Sequence, residues 1–65
     1  MGVLEDEYVG TRWTTQDKSI TYRVVKIAGN GKIALCNEET WVIDPYNFND
    51  EQMHVYIIRH SLRRA

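Results

Sequence analysis

The run ITYRVVKIAGNGKIALC, residues 20–36, constrains the chain more than any other stretch. β-Branched and aromatic residues fill the first half, Ile33 and Leu35 alternate with Ala34 and Cys36 in the second, and Gly29, Asn30 and Gly31 part them, a pattern that selects two strands joined by a hairpin. The Gly-Asn-Gly-Lys core also invites comparison with a phosphate-binding loop. That loop needs Gly-x-x-x-x-Gly-Lys-Ser/Thr at the start of a helix, whereas here Gly31-Lys32 runs into Ile33 and a strand-forming segment. No helix N-terminus would face an anion. The stretch reads as a hairpin with Gly31 at positive φ.

The 65 residues contain no internal repeat and no linker, and the single proline is Pro45, so residues 1–65 read as one domain. Further strands are expected at residues 8–13, with Gly10 as a bulge or close-approach point, and at residues 40–43, with a polar loop at residues 14–19. The C-terminal part pulls two ways. Asn49 followed by Gln52 has the form of a capping box, Phe48 and Met53 are spaced as a hydrophobic staple, and Asp50 and Glu51 precede Arg59, Arg63 and Arg64 as a helix dipole favours. Against this, HVYIIR, residues 54–59, is β-branched and aromatic, and on a helix its apolar residues spread around most of the circumference. The expectation is an all-β, five-stranded antiparallel barrel with a helical turn near residues 49–53 before the last strand. The alternative is a four-stranded sheet plus a C-terminal helix. Alternation along the strands places Val9, Trp13, Val25, Ile27, Ile33, Leu35, Trp41, Ile43 and Ile57 in the core, and Cys36 reads as a small core residue.

Five short strands with a polar loop after the first and a helical turn before the last resemble the SH3-like small barrels. WVIDPYNF, residues 41–48, is similar to the proline-and-aromatic turn before the final strand of eukaryotic SH3 domains, although the residue order differs and that family's paired tryptophans and acidic-aromatic opening are missing. Short SH3-like proteins of bacteriophages and prophages are also similar, sharing a VGTRW-type opening, a strand like TYRVVKI and a later aromatic turn over residues 9–48. That resemblance implies a phage or mobile-element accessory protein and carries over no functional residues.

Chemistry narrows the function by exclusion. A net charge of −1 argues against generic polyanion binding, which depends on neutralising phosphates. One cysteine, Cys36, excludes an intramolecular disulfide, and no apolar stretch is long enough for a signal peptide or membrane span, so a cytoplasmic location without a membrane partner is expected. Gly2 suits myristoylation, but Asp6 stands where Ser or Thr is needed. Cys36, His54 and His60 lack the close pairing of metal ligands, and Asp44, His54 and Ser61 lack a nucleophile elbow, so no cofactor, metal or catalysis is expected. The aromatic residues point elsewhere. Tyr22, Tyr46 and Phe48 with Arg59 and Arg63 form the expected partner surface of a non-catalytic binding module, since aromatic and Arg side chains dominate binding hot spots. A protein partner is favoured, and the chain is expected to be a monomer or small homo-oligomer. The alternative is a small nucleic-acid-binding regulator using Arg12, Lys18, Arg23 and Lys26 with Arg59, Arg63 and Arg64.

Overall fold

The computed structural model describes residues 8–65; Gly2 and the acidic opening Glu5, Asp6 and Glu7 lie outside them. Its elements are β1 (Arg12–Thr14), β2 (Thr21–Lys26), β3 (Ile33–Asn37), α1 (Asp50–Arg59) and β4 (Arg63–Arg64). The sheet runs β3-β2-β1-β4 with every pairing antiparallel. β3 and β4 stand at opposite edges, so the five-stranded barrel is corrected to the alternative, a four-stranded sheet with a C-terminal helix.

The glycines act where the sequence places them. Ala28 to Gly31 form the loop between β2 and β3: Ile27 N–H donates to the Lys32 carbonyl at 2.7 Å and Gly31 N–H to the Ile27 carbonyl at 2.9 Å. Gly31 has φ +70, a conformation that costs a β-branched residue heavily. Gly10, at φ +86, forms a bulge, because Val24 accepts from Gly10 N–H at 2.9 Å and donates to the Thr11 carbonyl at 3.0 Å. Two residues of one strand thus oppose one of the other.

Residues 54–59 are helical, not a fifth strand. The capping box wins: Asn49 Oδ1 accepts from Gln52 N–H at 2.8 Å, and Gln52 Oε1 accepts from Asn49 N–H at 3.0 Å. At the other end Ser61 N–H donates to the Ile58 carbonyl and Leu62 N–H to the Ile57 carbonyl, the Schellman arrangement, with Ser61 at φ 54 in place of the usual glycine. The turn aims Leu62 back at the core and sends Arg63 and Arg64 along β1. The expected strand at residues 40–43 is also absent. Trp41 has φ 59, which breaks an extended run, and Ile43 makes a single bridge to Cys36.

The core is Val24, Ile33, Leu35, Met53 and Ile57, with Tyr8, Val9, Trp13, Tyr22, Phe48, Tyr56 and Leu62 packed around it. Val24, not Val25, faces inward, because in the pairing of β2 with β3 Val24 lies opposite the buried Leu35. Ile27 is half-buried, Trp41 and Ile43 are exposed, and Ala34 and Cys36 are buried on the far face of β3.

The β1–β2 loop is held by a carboxylate. Asp17 Oδ1 accepts from Thr15 Oγ1 at 2.7 Å, Ser19 Oγ at 2.8 Å and Ser19 N–H at 3.0 Å. The Thr15 hydroxyl first, then Ser19, lowers its pKa from 3.8 to about 2. A depressed folded-state value contributes stability that is complete above 3.8 and lost as pH falls through about 2. Urea unfolding should therefore find Asp17→Ala less stable than the parent at neutral pH, with a gap that narrows below pH 3.8 and closes near pH 2. A gap of constant size over that range would mean that the carboxylate does not hold the loop.

Candidate interaction surface

A groove of about 420 Å³ opens between residues 46–48 and α1, lined by Tyr46, Phe48, Gln52, Val55, Tyr56, Arg59 and His60. Its floor is fixed through the backbone. Phe48 exchanges two hydrogen bonds with Ile33 at the start of β3, at 2.7 and 2.8 Å, and this bridge fixes where the Phe48 ring starts. From there a stack runs along the helix: Phe48 to Tyr56 with centroids 5.1 Å apart, then Tyr56 to His60 at 4.1 Å. Tyr56 and His60 are one helical turn apart on the same face. Burial, then the nearby Asp44 carboxylate, raises the Tyr56 hydroxyl pKa, so the phenol stays neutral.

The segment that leads into the groove residues is apolar and exposed. Trp41, Val42, Ile43 and Tyr46 are all exposed, Trp41 by 68% and Tyr46 by 66%, although an open sheet with one helix has room to cover some of them. Trp41 also holds a left-handed backbone, which is costly for a bulky side chain. Trp13, by contrast, lies half-buried, donates from Nε1 to Thr11 Oγ1 at 2.8 Å and carries the Arg64 guanidinium 5.3 Å from its ring.

Of the five residues expected to meet a partner, the fold brings Tyr46, Phe48 and Arg59 into one groove. Tyr22 is half-buried in β2 and packs against the core. Arg63 pairs with Thr14 in β4, at the sheet edge away from β3. Gln52, Val55, Tyr56 and His60 line the groove without having been expected there, and Trp41, expected in the core, is exposed. Three consecutive apolar residues, Trp41 to Ile43, were the available signal, since a half-buried strand does not carry such a run.

Two basic residues of the sheet are neutralised from within the chain. Glu38 Oε2 and Oε1 accept from Arg12 Nε at 2.7 Å and Nη2 at 2.9 Å, and Arg23 Nε reaches Oε2 at 3.3 Å. Arg12 and Arg23 are opposite each other across β1 and β2, so Glu38 offsets a like-charge pair that would otherwise destabilise the sheet. The Arg12 hydrogen bond chiefly lowers the Glu38 pKa and keeps the carboxylate charged. Two of the cations expected to serve nucleic acid are thereby engaged within the fold.

Among the described residues no three His, Cys, Asp or Glu side chains are grouped to hold a metal, and no helix is long and apolar enough to cross a membrane. Cys36 is a buried free thiol, and His54 Nδ1 hydrogen-bonds the Tyr8 hydroxyl at 2.8 Å. Compared with known proteins, the chain matches no family model, no curated protein and no solved structure.

Proposed function

We propose that the chain is a non-catalytic binding module that engages a protein partner through the groove and the adjoining Trp41–Tyr46 strip. The observation that carries this reading is the exposure of Trp41, Val42, Ile43 and Tyr46 in the segment that leads to Phe48, with Tyr46 and Phe48 themselves lining the groove. Aromatic anchors beside an apolar cleft are what protein hot spots are made of, and Tyr46, exposed on the groove wall, supplies such an anchor. The phage-type resemblance supports a role as an accessory protein of a phage or mobile element. Nucleic acid is the weaker partner, because Arg12 and Arg23 are paired with Glu38 and the net charge is −1.

The test is affinity capture from the native cell with the parent and with Tyr46→Ala, alongside titration of random single- and double-stranded oligonucleotides at two salt concentrations. A partner retained by the parent and lost by Tyr46→Ala is expected, with oligonucleotide affinity weak throughout. Tight, strongly salt-dependent oligonucleotide binding with no captured protein would make the chain a nucleic-acid binder instead.

A further inference from the structure

We infer that the outer face of α1 is a self-association surface, on which a second copy packs its own α1 antiparallel about a two-fold axis near Val55. Glu51, Val55, Ile58 and Arg59 occur at i, i+4, i+7 and i+8, the spacing of one helical stripe, and all four are exposed. Val55 is 51% and Ile58 64% exposed, so the helix carries apolar residues on its outside as well as on its core side. A lone surface helix gains nothing from them.

The ends of the stripe select the occupant. Glu51 stands at the N-terminal end of α1 and Arg59 at the C-terminal end, about 12 Å apart along the axis, with Val55 midway. Neither side chain makes a hydrogen bond or ion pair within the chain among the described residues. An antiparallel copy sets Glu51 of each chain against Arg59 of the other and lays Val55 and Ile58 between the two pairs. The stripe is thus its own complement, as a two-fold interface requires. A parallel copy would oppose like charges.

Val55 and Arg59 also form the helical rim of the groove, so the second copy stands along that rim, while Tyr46 on the opposite wall stays free for a partner. One short helix pair is small against the roughly 1,200–2,000 Å² buried in stable complexes, so the dimer dissociates on dilution.

Sedimentation velocity across a concentration series tests the inference on the intact chain. The parent should show a reversible monomer–dimer equilibrium. Glu51→Arg and Arg59→Glu should each raise the dimer Kd about tenfold or more, because each creates two like-charge contacts per dimer, and the combined exchange should return it to within about threefold. The combined variant opposes the helix dipole at both ends, so recovery of the dimer cannot come from a more stable helix. Ile58→Ser, outside the groove lining, should weaken the dimer about tenfold, whereas Tyr46→Ala should leave it within about threefold while abolishing partner capture. A parent that stays monomeric up to about 1 mM, or a dimer indifferent to the charge exchange, overturns the inference without touching the partner-binding proposal.

Discussion

Met53→Ala is expected to remove about 2–5 kcal/mol of stability, most of what a chain of this length holds. Met53 is fully buried, and it is the helix's main insertion into the cluster of Val24, Ile33 and Leu35 from the sheet. Truncation leaves a cavity at the seam between the sheet and its single helix, and with so small a core there is no second layer to collapse into it. Urea unfolding should show a midpoint near zero denaturant or a largely unfolded protein. Val42→Ala, at a site 60% exposed, should change stability by less than about 0.5 kcal/mol. If Met53→Ala cost no more than Val42→Ala, the helix would not be docked on the sheet as described.

Trp41→Gly should separate folding from binding. The tryptophan stands at φ 59 with 68% of its surface exposed, so glycine relieves a strained backbone while little buried contact is lost. Glycine's greater freedom in the unfolded chain offsets part of that relief, and stability is expected to hold or rise by up to about 1 kcal/mol. Partner affinity should fall by about 2 kcal/mol or more, roughly 30-fold, because an exposed aromatic anchor is the kind of residue that dominates an interface. A stability loss above about 1 kcal/mol would place Trp41 in the fold's support, and unchanged affinity would remove it from the binding surface.

The hairpin, the bulge and the helix start were legible because each depends on local chemistry that few residues can supply: Gly31 and Gly10 at positive φ, and Asn49 with Gln52 as a reciprocal cap. The helix end was not. Ser61 fills a left-handed position that the sequence marks only when glycine or asparagine occupies it, so residues 54–59 could be read as a strand from their β-branched content. The inward face of β2 was hidden for a different reason. Val24 and Val25 are identical neighbours, and only the pairing with β3 decides which one enters the core. The apolar residues of 54–59 do lie around much of the helix: Val55 and Ile58 are exposed on α1 while Ile57 is buried. Local signals could show that these residues did not fit a single core stripe, but not that the misfit was surface. Trp41 and Ile43 were assigned to the core for the same reason. Hydrophobicity alone does not distinguish a residue buried by its own chain from one kept for another.

The two tryptophans provide the most direct measurement of the central claim, that the chain binds a protein through the Trp41–Tyr46 strip and the groove beside it. Trp41 is exposed on that strip, whereas Trp13 lies across the sheet with its indole N–H donated to Thr11 Oγ1, so one reports the surface and the other serves as a control. Nitrogen-15 spectra of the chain, titrated with the captured partner, should show the Trp41 indole resonance shifting with saturation while that of Trp13 stays in place. A Trp13 indole that moves while Trp41 remains at its free position would put the contact on the β1–β4 side of the sheet and contradict the claim.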